Sequence, residues 1–289
     1  MESVFRQEFD DFELLLVDDG STDGSEAIAR NLADRFPRRI RYLAHPDRVN
    51  RGASHARNLG LAQATGELIA FIDSDDVWRP QKLSEQLRIM DENPAIGMLC
   101  GVVNYWSSWA GGEDRLVATG SRIDSTLTPP NALLHLYPLG VGHAPCPSDL
   151  MIRRSLVEAG CTFEETLSGP VQMYEDQMFF AKIYLSATVL FASRAWLDYR
   201  QHPDSCVSVV FRDGLYHGMR RGFLAWLERY VGDHPGPRTD QVIRAIHQAR
   251  WDLDHPTLAR LRRRARRFLS PEPKISDEQR QAGAPPLPS

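Results

Sequence analysis

The sequence predicts an α/β protein: a mostly parallel sheet flanked by helices, with a helical C-terminal extension. Three observations point there. First, Leu14-Leu-Leu-Val17 and Leu68-Ile-Ala-Phe-Ile72 are uninterrupted apolar runs, the pattern of strands covered on both faces, as in parallel sheets. Second, both runs stop at acids, Asp18-Asp19 after one and Asp73-Ser-Asp75-Asp76 after the other. Third, strand-like and helix-like segments alternate up to about residue 100, the rhythm of βαβ units.

The elements follow in order. Leu14–Val17 reads as a strand. Gly20 allows a tight turn, and Ser21 or Thr22 can cap a helix from Ser25 to Phe36. Arg39–Ala44 reads as a strand, and Ser54–Ala64 as a helix with Gly66 just past its end. Leu68–Ile72 is the next strand. Pro80–Asn93 places Leu83, Leu87 and Met90 on one helical face. Gly97–Val103 is a further strand. Residues 104–148 break the rhythm with Trp, Gly and Pro and read as loops; Asp149–Arg153 resumes a strand, and Asp176–Leu185 is a helix. Tyr216–Tyr230 and Thr239–Leu253 carry apolar residues at helical spacing. The organisation expected is a core domain over 1–208, a helical extension over 209–270, and a polar, proline-rich tail over 271–289 without fixed structure.

Composition narrows the function classes. A chain of 289 residues, 42% hydrophobic, supports a large core. A formal net charge of −4 argues against a general binder of nucleic acid. Cys100, Cys146, Cys161 and Cys206 lack C-x-x-C spacing. They form neither a zinc signature nor a disulfide framework, and reduced thiols in the cytoplasm are the simplest reading. No apolar stretch reaches the length of a membrane span.

The acids carry the chemistry. In α/β proteins the crevice outside the carboxyl ends of the strands is where ligands bind. Asp73, Asp75 and Asp76 crowded there repel one another unless a cation neutralises them. A hard divalent ion with oxygen ligands, Mg²⁺ or Mn²⁺, does so and leaves positions open to substrate phosphates. On the residues alone a second reading stands: Asp and Ser cap the helix that Trp78-Arg-Pro80 begins.

Three linked segments decide between them. Asp18-Asp-Gly-Ser-Thr-Asp23, Asn50-Arg-Gly-Ala-Ser-His-Ala-Arg-Asn-Leu-Gly-Leu61 and Thr65-Gly-Glu-Leu-Ile-Ala-Phe-Ile-Asp-Ser-Asp-Asp76 resemble, in order and spacing, the family 2 glycosyltransferases, whose nucleotide-sugar-binding domain has the GT-A, Rossmann-like fold. The resemblance runs to about Ser208. It implies an inverting transfer of sugar from a nucleoside-diphosphate sugar, a UDP-sugar, to a hydroxyl on a glycan or lipid-linked acceptor, in cell-envelope synthesis. It implies that Asp75 is the metal ligand, with Asp73 directed at ribose or metal, and that Asp19 hydrogen-bonds the base. Asp18 either joins it or only supports the turn. Arg57 pairs with a phosphate or a carboxylate, or is a solvated helix face. Asp76 either joins the acid cluster or caps the next helix.

An inverting transfer also needs a group that takes the acceptor's proton. Glu175-Asp176 resembles the family's acid pair at a helix start. By that resemblance Asp176 is the base and Glu175 its neighbour in support, against the plain alternative of acids favoured at a helix N-terminus. Tyr199-Arg-Gln-His-Pro-Asp-Ser205 resembles a late family segment, in which His202 approaches the metal or the diphosphate or is structural. By the resemblance Trp106, Trp109 and His143 lie where the family meets its acceptor, with aromatic faces suited to sugar C–H surfaces, against the alternative of core packing. Arg260–Arg267, within a segment of six arginines, reads as an anionic-membrane contact, a solvated helix or a nucleic-acid patch. The chain departs from the family at its start: Met1–Phe12 resembles only the end of the family's first helix. The expectation is that DNA upstream of Met1 encodes, in frame, the strand and helix start that precede it. The competing function is a nucleotide-sugar-binding relic without turnover. A nucleotidyltransferase would need a Gly-rich basic phosphate loop near the first strand, and none is visible.

Overall fold

The computed structural model describes residues 1–120, 123–166 and 172–261. In chain order the elements are α1 (Glu2–Phe5), β1 (Leu14–Asp18), α2 (Ser25–Arg35), β2 (Ile40–Ala44), α3 (Ala53–Gln63), β3 (Leu68–Ala70), β4 (Val77–Trp78), α4 (Lys82–Glu92), β5 (Ile96–Trp106), β6 (Arg115–Ala118), β7 (Ser125–Leu127), α5 (Asn131–His135), β8 (Met151–Arg153), α6 (Arg154–Glu158), α7 (Glu175–Ser186), β9 (Thr188–Arg200), α8 (Cys206–Arg212), α9 (Tyr216–Asp233) and α10 (Thr239–Asp254).

The long strands β5 and β9 form the spine and pair in parallel from Ile96↔Thr188 to Trp106↔Arg200. Successive side chains of a strand face opposite sides of the sheet, and β5 feeds both cores. Met98 and Cys100 join a cluster with Phe71, Phe179, Phe180 and Phe191. Leu99 and Val103 join Trp78, Leu83, Met90 and Trp196 on the other side. Gly101 is required where the strands close up: a Cβ there would fall on the Arg194 carbonyl oxygen and the Trp196 ring. The helices α9 and α10 share the first core through Phe223, Leu224, Leu227, Val242 and Ile246.

The α/β class holds, but the strands are less parallel than the apolar runs suggest. The larger sheet has the order β3-β8-β5-β9-β4, with β6 on β5 and β7 on β9. Only β5–β9 is parallel within it; the pairs made by β3, β4, β6, β7 and β8 are antiparallel. The cause is that β8 returns against β3 and β5 after the excursion over residues 104–148. That excursion is itself structured: β5 continues to Trp106, and β6, β7 and α5 follow. These segments are three to five residues long, too short to show periodicity without their partners.

A second correction concerns Leu14–Val17. Strand β1 pairs only with β2, in parallel, in a separate two-stranded sheet. Its residues are half-buried along the whole strand rather than covered on both faces. The basic segment beyond Leu261 and the 271–289 tail lie outside the described residues.

Candidate active site

The acids after β3 form a turn closed by the Asp76 N–H donating to the Asp73 carbonyl at 3.1 Å. The Asp73 N–H donates to the Ser148 hydroxyl at 2.9 Å. Asp76 is 5% exposed and its carboxylate accepts the Arg200 N–H at 3.0 Å. It therefore ties the turn to β9. It does not cap α4, which begins at Lys82 behind Gln81. Burial pushes the Asp76 carboxyl up to about 7.

Asp75 points to solvent, with 42% of its side chain exposed, and its Oδ2 lies 3.0 Å from His202 Nε2. Its carbonyl accepts the Arg200 Nε–H at 2.7 Å. The Arg200 guanidinium in turn lies over Trp106 at 4.7 Å and over Trp109 at 4.8 Å from the ring centres. Neither Arg200 nor Ser148 was singled out by sequence reasoning. The Arg-x-His pattern at 200–202 was a signal for Arg200; a lone Ser before a strand is no signal for Ser148.

Arg57, on α3, joins the two acidic motifs. One guanidinium nitrogen donates to Asp73 Oδ1 at 2.8 Å and another to Glu175 Oε1 at 3.1 Å. Its side chain is 13% exposed and lies over the Phe163 ring at 5.2 Å. Burial alone would favour discharging the guanidinium; the two carboxylates more than reverse that and hold it charged. Arg57 is therefore not a solvated helix face, and in this structure it pairs with two carboxylates.

Glu175 and Asp176 open α7. Burial raises Glu175 to about 7, the neighbouring Asp176 adds to the rise, and Arg57 opposes it. Asp176 is also raised by burial. Its Oδ1 accepts the Gln177 N–H at 2.6 Å and its Oδ2 accepts from Gln177 Nε2 at 3.3 Å. Among the described residues no cation forms an ion pair with it, though the Arg57 charge opposes part of its rise.

Asp18 and Asp19 sit in the turn after β1. Asp18 accepts the Ser21 N–H at 2.9 Å and the Tyr42 hydroxyl at 2.8 Å, the supporting role. Asp19 accepts the N–H groups of Arg51 and Gly52, at 2.9 and 2.6 Å, with its two oxygens. This ties the β1 turn to the loop before α3. Gly52 has φ +93°, and a Cβ there would collide with the Gln172 side chain, so glycine is needed on both counts. Arg57, Asp73 and Glu175 thus meet directly, as do Asp75 and His202, while Asp18 bonds its own turn and β2, and Asp19 bonds the loop before α3. Asp75 and His202 offer one oxygen and one nitrogen donor. This is a partial set that suits a divalent ion whose remaining positions are filled by water and phosphate. Among the described residues no three His, Cys, Asp or Glu side chains surround one point.

Two outcomes follow from Arg57 and Glu175. Arg57→Met leaves two carboxylates facing each other. It is expected to cost about 3 kcal/mol in urea unfolding, the low end for breaking a buried pair because Asp73 is part-open to solvent. Glu175 keeps its proton in the folded state to a higher pH than in the unfolded chain. Its contribution is therefore full below about 4.5 and is lost as pH rises through about 7. Glu175→Gln is expected to flatten the fall in thermal midpoint between pH 5 and pH 7.5; a variant with the parental slope would refute this.

Comparison with known proteins agrees with the geometry. Residues 1–160 match the family described as Glycosyl transferase family 2. TuaG of Bacillus subtilis, named as a teichuronic acid biosynthesis glycosyltransferase, is 40% identical over 90 residues, which are 31% of this chain and 34% of TuaG. The chain likewise spans less than half the length of two other curated relatives, 29% and 47%. Among solved structures, S. aureus TarS 1–349 superposes with a TM-score of 0.60 at 21% identity, over 97% of this chain and 72% of that one. The mannosyltransferase PcManGT from Pyrobaculum calidifontis, in complex with GDP-Man and Mn²⁺, superposes with a TM-score of 0.52 at 15% identity, over 97% and 76%. With more than half of its length matched and the fold shared, the chain belongs to the family 2 glycosyltransferases and has the GT-A fold.

Proposed function

We propose that the protein transfers a sugar, with inversion, from a nucleoside-diphosphate sugar to a hydroxyl of a glycan or lipid-linked acceptor of the cell envelope, and that the donor is a UDP-sugar. One observation supports the mechanism: Arg57 binds Asp73 and Glu175 together, while Asp176, next to Glu175 at the start of α7, has no paired cation among the described residues. The raised pKa of Asp176 suits a proton acceptor. Asp176 takes the proton of the acceptor hydroxyl as its oxygen bonds to the anomeric carbon. The bond from that carbon to the phosphate oxygen breaks, and its electron pair leaves with the nucleoside diphosphate. Asp75 and His202 are the residues that would hold Mn²⁺ or Mg²⁺, and Asp73 would face the ribose, or the metal through water. The metal supplies Lewis-acid stabilisation of the departing diphosphate. Asp19 fixes the loop against which the base would lie. Support for the metal comes from the Mn²⁺ in the PcManGT complex, and for an envelope acceptor from the name of TuaG. The described cysteines are free, in keeping with a reducing cytoplasm. No described helix is long and apolar enough to cross a membrane, and contact through Arg260–Arg267 would be peripheral.

Calorimetric titration with UDP, with and without Mn²⁺, tests the metal site. Asp75→Asn is expected to lose the Mn²⁺-dependent part of UDP binding, and unchanged dependence in the folded variant sinks the assignment. Asp176→Asn is expected to bind UDP normally while hydrolysing UDP-sugars roughly 10²–10⁴ times more slowly. Parental turnover in that variant moves the base elsewhere. A parent that binds UDP-sugars but never releases UDP is the relic.

A further inference from the structure

The turn that carries Glu175 and Asp176 is held from an unexpected direction. Tyr174, the residue before them, caps α7 with φ +79°. A residue with a side chain keeps that left-handed conformation only where its surroundings over-determine it. Those surroundings come largely from α9. The Tyr174 ring stacks on Phe223, with centres 5.1 Å apart at 20°, and lies near-parallel to Tyr137. Its hydroxyl shares a hydrogen bond with the Tyr137 hydroxyl, which is 2.9 Å from the Tyr216 hydroxyl. Arg220 closes the chain: Nη1 donates to Tyr216 at 2.9 Å and Nη2 to the Pro138 carbonyl at 3.0 Å. Arg220 is 6% exposed and Tyr174 2%. Tyr216, Arg220 and Phe223 fall at i, i+4 and i+7, on one face of α9.

We propose that Tyr216 and Arg220 of α9 are positioning residues for the transfer: through Tyr137 they lock Tyr174 in its left-handed turn and so fix where Asp176 points. The helices after residue 208 then have a catalytic purpose beyond covering the core. Arg220 is suited to the task. A buried guanidinium with two fixed acceptors has one position, and the hydroxyl chain passes that position to the cap of α7. The Tyr216 hydroxyl is shifted toward easier ionisation, despite burial, by its bonds to Tyr137 and Arg220, which fits a charge-assisted link rather than a loose contact.

The test rests on the transferase reading, so it has two arms. The first measures release of UDP from UDP-glucose, UDP-galactose and UDP-N-acetylglucosamine with Mn²⁺, where water replaces the acceptor and still needs the base. Tyr216→Phe and Arg220→Met are expected to lower kcat by about 10- to 10²-fold, the scale of a displaced reacting group, with donor KM and Mn²⁺-UDP affinity within about twofold of the parent. Arg220→Lys, which keeps the charge on Tyr216, is expected to recover part of the loss. Loosening the turn admits water to Asp176 and Glu175, so the acidic limb of the kcat profile is expected to move to lower pH. Folded variants with parental kcat and pH profile overturn the proposal. The second arm needs no turnover and decides the matter if the parent is silent toward all three donors. Hydrogen exchange over residues 172–180 is expected to quicken in Tyr216→Phe while exchange over β1 and α3 stays parental. Unchanged exchange over 172–180 overturns the proposal, whereas a silent parent with the expected exchange pattern counts only against the transferase reading.

Discussion

The double ion pair of Arg57 is the constraint on which the site depends. Asp73 ends a strand, Glu175 begins a helix, and 118 residues separate Arg57 from Glu175 in the chain. Burying any one of these charges alone would be costly, and each carboxylate would repel the other. The guanidinium resolves both problems because its planar fork offers separate N–H groups to the two acids. Lysine, with a single point of charge, has no equivalent geometry. The arrangement also leaves the acids in different settings. Asp73 and Glu175 are bound by Arg57, whereas Asp75 is half-open beside His202 and Asp176 accepts from Gln177.

A second, deeper layer supports the acid turn after β3. Lys82 is wholly buried and donates to Gln86 at 2.7 Å and to the Asp149 carbonyl at 2.8 Å. Burial lowers its pKa to about 8. Gln86 donates to the same carbonyl, the Gly101 N–H donates to the Asp149 carboxylate, and Trp78 donates to the Ser148 carbonyl. All of these bonds but the one from Lys82 to Gln86 end on the short turn Pro147–Asp149, whose Ser148 hydroxyl receives the Asp73 N–H. So polar network is spent in the core to place one hydroxyl under the acid turn.

Much of this was legible in the sequence. The two apolar runs ending in acids located β1 and β3 because a strand's boundary and a site's position coincide there. The Glu175-Asp176 pair located the start of α7. What escaped was non-local. Strands β6 and β7 exist through their pairing with β5 and β9, and their few residues hold no period of their own. The length of apolar runs also misled. Leu14–Val17 reads as fully covered, yet β1 has one strand neighbour and is half-buried. Arg57 could be placed near the site but not assigned a partner, since its partners lie on elements whose packing no local pattern encodes. Ser148 had no pattern at all.

The division of the strands into two sheets has a consequence for how the protein comes apart. Helix α2 has no buried residue, β1 is half-buried throughout, and β2 buries Ile40 alone. The ties from this layer to the rest run mainly through α3, by way of Arg57 and of Asn58, which bonds Phe163 and Glu165. A unit with so little buried apolar surface opens at a lower free energy than the β5–β9 spine, and it does so as a group. The loops that it carries are the ones ending at Asp19 and Gly52. A ligand seated on them therefore raises the free energy of this local opening by as much as it raises that of global unfolding, since neither opened state binds it, and exchange of the β1–α2–β2 amides reports the binding directly.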